Sequence, residues 1–357
     1  MSVLLVLLFV SYVLISYIYT GFYKSKKYQL FCLFLSFLLM LIFATLKDAN
    51  TSHDTSNYIF IFQDYLPDSL YQYISNIRSY EFEYGYSFLT VFMKSLGVNY
   101  TFSFFIYGLI ALIPILITIK RDSQWVICSL LIYVFCFFFK NEIIIIRYGM
   151  SCGLFLLGLS YLNNGNNKKS LLLFLMAFLF HYTALIALVV FILAQVKYSK
   201  KIVLFSSIII SFGILISPIE IMAKLLLMYP DLKYVGIDRI VRYAGIESAQ
   251  GIKAIILYIP FGIFIMLTFD YLYANYKAYL TSTILMFFSF VLFNEVSSLS
   301  RVYLMYSMAL IILIPNIFNQ IGNKWLKLSL FLYLILFTTY IFTRQNIFNT
   351  GGSINFY

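Results

Sequence analysis

Phosphate-handling and proton-transfer chemistry can be sought in this 357-residue chain among seven arginines, two histidines and fourteen carboxylates. Arg147 draws attention first, because it stands four residues into an apolar run, in the string EIIIIRYGM. A charge at that depth costs about 2.5–3.5 kcal/mol on insertion scales and is by default functional. A structural pair with Glu142 and snorkelling to the interface are the competing readings. Guanidinium carries a planar fork of donors that matches phosphate and keeps its charge at low dielectric, so Arg147, Arg239, Arg242 and Arg301 are candidate diphosphate ligands. His181, in FLFHYTALI, has the ring chemistry for a general base or for binding a sugar hydroxyl or phosphate. A structural histidine bonded to a carbonyl is its alternative.

Glu83, in EFEYGY, and Asp54, in HDTSNY, are the carboxylates in the most suggestive settings. Transfer of a glycosyl group from a diphosphate needs a base for the acceptor hydroxyl and cations for the departing phosphates. Carboxylate plus arginine supplies both, although each carboxylate alone also reads as a solvated loop charge. Glu295 and Arg301 flank a short turn, as a salt bridge or as part of the same cleft. There is no Walker loop, Rossmann fingerprint, zinc-ligand spacing or DxD-type pattern, so the expectation is chemistry with no cofactor and no metal.

The elements that must position these residues are membrane helices. Of the chain, 62% is apolar and only 11% charged, against about a quarter charged in soluble domains. Apolar runs of about 20 residues recur along the whole length, each long enough to cross the bilayer. Spans are expected near 2–20, 28–46, 100–119, 124–140, 143–162, 202–217, 252–270, 279–296, 300–317 and 325–343. The first reads as a retained span and not a signal peptide. The net charge of +11 sits at span ends, so it reports topology and not nucleic-acid binding. The four cysteines, all in apolar segments, read as packing residues.

The stretch 168–196 is either one long tilted helix or a pair of half-helices that enter and return. A returning hairpin places 13 basic and 2 acidic residues on the inner side; a single helix gives 14 and 6. Basic excess inside favours the hairpin, with His181 at its apex. The same topology turns six of seven arginines outward and 12 of 18 lysines inward. The polar regions 47–99 and 218–251 then lie on the outer face. Within the first, Leu70, Tyr73, Ile74 and Ile77 predict a surface amphipathic helix over 68–78. The fold expected is a single all-α transmembrane domain over 1–357, with about 10–12 helices and an outward-facing cavity.

Several short strings together resemble the EpsG family of polysaccharide polymerases, relatives of the Wzy O-antigen polymerases. They are Asp54 with Tyr58, then Glu83-x-Gly85-Tyr86, then Ile146-Arg147 opening a helix rich in small residues. Phe180-His181 with Thr183-Ala184, and the late Arg301-x-Tyr303, complete the set. The Arg147-Tyr148-Gly149-Met150 string departs from the family, which more often has a small residue three places after the Ile-Arg pair.

The resemblance implies a bacterial inner-membrane glycosyltransferase whose active site faces outward. Its substrate would be an undecaprenyl-diphosphate-linked oligosaccharide, joined into capsule, exopolysaccharide or O-antigen. Partners of the same pathway would be a flippase and a chain-length regulator. A flippase for the lipid-linked oligosaccharide, and an integral membrane acyltransferase, are the alternative classes.

Overall fold

In the computed structural model the described residues are 3–23, 25–47, 51–80, 82–213, 251–293 and 297–344. Among them all regular structure is helical. This follows from the solvent, because a chain crossing hydrocarbon must satisfy its backbone polar groups within each segment. Helix α1 (Val3–Phe22) and α2 (Lys26–Thr45) are joined by a tight turn, with Ser25 capping α2 through the Tyr28 N–H at 3.3 Å. Three short helices follow, α3 (His53–Phe60), α4 (Leu70–Ser75) and α5 (Tyr84–Ser95). Then come the long α6 (Tyr100–Asp122) and α7 (Val126–Tyr133), which runs on as a π-helix over Val134–Ile144.

The centre of the molecule is α8 (Ile146–Asn163), buried on nearly every face. Close approach of helices in a membrane favours small residues at the contact, and Gly149 and Gly153 supply them. A Cβ on Gly153 would come within 2.2 Å of the Ala111 carbonyl oxygen, so α6 and α8 meet backbone to backbone there. Ser151 Oγ donates to the Ala177 carbonyl at 2.9 Å and ties α8 to α9 (Asn167–Phe180).

Helix α9 stops at His181, whose backbone is extended (φ −158°). A 3₁₀ turn (Tyr182–Ile186) and α10 (Ala187–Leu193) follow. Fourteen residues of α9 rise only ~21 Å, short of the ~30 Å of hydrocarbon. Both ends of this segment reach one turn, between α13 (Phe269–Asn275) and α14 (Lys277–Phe293). Asn163, just before α9, bonds to Asn275 and Ala278 at 2.8 and 3.3 Å. Tyr198, just after α10, donates its N–H to the Tyr273 hydroxyl at 3.4 Å and pairs with Thr281 at 2.8 Å. The segment therefore enters and returns, and His181 is its apex.

The remaining elements are α11 (Lys200–Gly213), α12 (Gly251–Leu267), α15 (Ser297–Ser307), α16 (Leu310–Gln320) and α17 (Lys324–Arg344). Six helices among the described residues are long and apolar enough to cross a membrane, or seven with the bent pair α12–α13. Among the described residues, α12–α13 bends by 77° and 168–196 folds back, so neither adds a straight span. The helix expected over 68–78 is only α4 and a 3₁₀ turn. Its Tyr73 is buried against α5 while Ile74 is 62% exposed, so most of its apolar side packs on protein. The 218–250 stretch and Glu295 lie outside the described residues.

The bundle has two chemically distinct ends. At one, Gln124, Asp122, Asn316, Tyr276 and Tyr279 form a continuous polar network. Arg121 and Lys169 share the Tyr161 ring close by, and Lys277 lies over Tyr273. At the other end lie α3–α5, Lys47, Arg147, His181 and Arg301.

The hairpin makes a direct prediction. Single cysteines replacing Lys168 and Lys197 should be labelled from the same side of the membrane by an impermeant thiol reagent. Labelling from opposite sides would mean that the segment crosses.

Candidate active site

The π-helical stretch decides where Arg147 stands. Such stretches are rare and tend to occur at functional sites. This one ends at Ile145, whose N–H donates to the Lys140 carbonyl at 3.0 Å. Helix α8 starts afresh at Ile146, so Arg147 lies in its first turn and not deep within a helix. A cation there opposes the helix dipole, and compensation comes from outside the helix.

Glu83 provides it, through an ion pair and hydrogen bond with the Arg147 guanidinium. The carboxylate is 6% exposed and the guanidinium 21%. Glu83 immediately precedes α5 without capping it, which leaves its side chain free to turn to Arg147. The partner of Arg147 is thus Glu83 and not Glu142. Glu142 accepts from the Tyr133 hydroxyl at 3.0 Å, and its carbonyl accepts from Lys47 at 2.7 Å. Phe82, Tyr86 and Tyr58 surround the guanidinium, their ring centres 5.0, 5.7 and 5.8 Å from Cζ. Gly85 permits this arrangement: a Cβ there would lie 2.8 Å from the Leu179 carbonyl oxygen, forcing α5 away from the end of α9.

Arg147 and Arg301 line a single cavity of about 320 Å³ together with Asp54, Asn57 and Tyr58. Asp54 and Tyr58 are one helical turn apart on α3, which puts both on the cavity side. Asp54 occupies the first turn of α3, where a carboxylate is favoured by the dipole. Burial pushes the Tyr58 phenol above its ordinary range, with Arg147 pulling the other way.

His181 lies behind Arg301, with Nε2 3.5 Å from Nη1. Its Nδ1 caps the 3₁₀ turn, accepting the Thr183 N–H at 3.3 Å. A guanidinium, like a backbone N–H, can only donate, so each ring nitrogen faces a donor, and the Thr183 hydroxyl also bonds Nδ1. The imidazole is thus held against Arg301 through Nε2.

Tyr148 holds this corner together. Its hydroxyl donates to the Arg301 carbonyl at 2.7 Å, and its ring meets His181 edge-on at 5.3 Å. Sequence reasoning passed over Tyr148 and Asn57, although Tyr148 adjoins Arg147 and Asn57 lies between Asp54 and Tyr58. Arg239 and Arg242 lie outside the described residues. Arg78 is exposed on the 3₁₀ turn after α4, apart from this cavity.

The EpsG family model matches residues 30–357. The chain belongs to the EpsG family. Membership implies a polysaccharide polymerase of glycosyltransferase type, here in a multi-pass, all-helical membrane protein. No curated protein and no solved structure matches the chain. The family strings noted in the sequence are dispersed over 250 residues of chain only in primary structure; Asp54, Tyr58, Arg147 and Arg301 share one cavity, with Glu83 and His181 bonded to its arginines.

If Glu83 exists to hold Arg147, the two residues are energetically coupled. A double-mutant cycle over Glu83→Gln and Arg147→Gln, read by thermal unfolding in detergent, should give a coupling of about 1–3 kcal/mol. Additive effects would mean that the pair contributes nothing.

Proposed function

We propose that this EpsG-family protein joins undecaprenyl-diphosphate-linked oligosaccharide repeats into a surface polysaccharide, at a site on the outer side of the bacterial inner membrane. The observation that carries the reading is the cavity shared by two guanidiniums and a carboxylate. Its placement opposite the lysine-rich end supports the outward orientation, because basic excess marks the cytoplasmic side.

In the proposed reaction a hydroxyl of the incoming lipid-linked unit attacks the anomeric carbon of the growing chain. The new glycosidic C–O bond forms as the bond from that carbon to the diphosphate oxygen breaks, and undecaprenyl diphosphate leaves. Asp54 takes the hydroxyl proton. Arg147 and Arg301 hold the diphosphate, and His181 positions Arg301 through Nε2. Arg239 and Arg242 stand as further diphosphate ligands within the proposal. Glu83 acts on Arg147 and positions it, which moves the proton-accepting role from Glu83 and His181 to Asp54. Two cations aimed at the leaving group supply the stabilisation that metals provide in other glycosyltransferases, so the transfer is proposed to be metal-independent.

The test is the surface-polysaccharide ladder of cells lacking the gene, complemented at matched protein levels. Arg147→Ala, Arg301→Ala and Asp54→Asn should leave exported single repeats and cut polymer by about 10²–10³-fold. His181→Gln, which keeps a side-chain acceptor for Arg301, should retain more polymer than His181→Ala. In membranes, polymerisation should survive EDTA. Loss of even the exported single repeat would replace this reading with a flippase, and full-length chains lacking an acyl group would replace it with an acyltransferase.

A further inference from the structure

The lysine-rich end contains a second cavity, of about 1010 Å³, that takes no part in the chemistry above. It lies between the α1–α2 turn, the start of α7 and the α16–α17 connection. Three lysines, Lys26, Lys324 and Lys327, line it, and no acidic residue among the described ones does. Lys26 opens α2 and Lys324 opens α17, and neither helix has an acidic residue in its first turn. Helices normally place carboxylates there, so the positive ends of two long helices add to the charge of the lysines.

The rest of the lining is not that of a site for a free ion. Trp125 and Phe331 form its floor, nearly parallel with centres 6.2 Å apart, and Tyr17 stacks on both at 4.8 and 4.7 Å. Two of its wall residues, Phe22 and Leu328, are 77% and 46% exposed. They continue into the lipid-facing sides of α1 and α17, where Ile18 and Leu332 are also exposed. The cavity thus has a cationic rim and an apolar wall open to the hydrocarbon.

We propose that this cavity binds an anionic glycerophospholipid, its headgroup phosphate among Lys26, Lys324 and Lys327 and the start of its chains along Phe22 and Leu328. Basic pockets between membrane helices take anionic headgroups, at roughly 5-fold per lysine, so three lysines predict a preference over zwitterionic lipid on the order of 100-fold at low salt. The polar wall is already committed to protein: Gln29 accepts the Val126 N–H at 3.0 Å, and Gln124 donates to the Tyr271 hydroxyl at 3.0 Å.

Trp125 and Trp325 are the two tryptophans of the chain. Trp325→Phe makes Trp125, in the cavity floor, the sole reporter. The full chain is reconstituted in phosphatidylcholine vesicles with increasing fractions of chain-brominated phosphatidylglycerol or phosphatidylcholine, and Trp125 quenching is followed. Brominated phosphatidylglycerol should quench at far lower fractions. In Lys26→Gln/Lys324→Gln/Lys327→Gln the two curves should coincide, the phosphatidylcholine curve staying in place as a sign that the cavity is intact. Lys324→Gln alone should give an intermediate shift. The exposed lysines of the same end serve as control, so Lys168→Gln/Lys197→Gln/Lys201→Gln should keep the preference. Equal quenching by both lipids in wild type, or equal loss in both triple variants, would overturn the proposal. So would displacement of brominated phosphatidylglycerol by inorganic phosphate, which would make this a site for the free anion.

Discussion

A guanidinium held at the edge of a hydrocarbon-thick bundle must be paid for locally, and the active-site end is arranged around that requirement. Arg147 opens α8, where the helix dipole opposes it. Glu83 compensates the charge, and Phe82, Tyr58 and Tyr86 enclose it. Those partners come from α3 and from the start of α5, so two short helices outside the spans have to be docked against α8 and α9. Gly85 allows the docking, and Thr55 strengthens it by donating to the Ile143 carbonyl at 3.3 Å. One buried charge thereby determines where the polar 51–95 region sits.

The returning segment solves a second problem. A polar imidazole at membrane depth needs a backbone that is free to bond, and a continuous helix offers none. Breaking the chain at His181 releases the Thr183 N–H, which then bonds to Nδ1. Because α15 packs on the same break, Arg301 arrives beside the imidazole although 120 residues separate them. The cost is that neither arm spans the bilayer, and both arms are secured instead by the α13–α14 turn through Asn163 and Tyr198.

Much of this was legible in the residues, unevenly. The i, i+4 spacing of Asp54 and Tyr58 put them on one face wherever α3 happened to lie. The lysine count favoured a returning hairpin over a single helix, as the shared contacts of its two ends bear out. Arg147 was recognisable as unusual from its apolar flanks, but its partner was not, because Glu83 is 64 positions away and Glu142 only five. The π-helix over 134–144 carries no pattern distinct from an α-helix, so the start of α8 was misplaced by three residues and Arg147 set too deep. The apolar side of 68–78 read as membrane-facing because periodicity reports that a face is apolar, not what covers it.

Composition and hydropathy alone therefore determined that the chain is a helical membrane protein, which end is lysine-rich and which residue types were available for chemistry. They did so because the bilayer imposes a solvent rule on every segment independently. Only the tertiary structure decided that Arg147 and Arg301 share a cavity with Asp54, that Glu83 serves Arg147, and that His181 meets Arg301. These depend on distances between segments remote in sequence, set by backbone contact at Gly85 and Gly153 and by the breaks at Ile145 and His181. A hydropathy pattern contains no term for such distances.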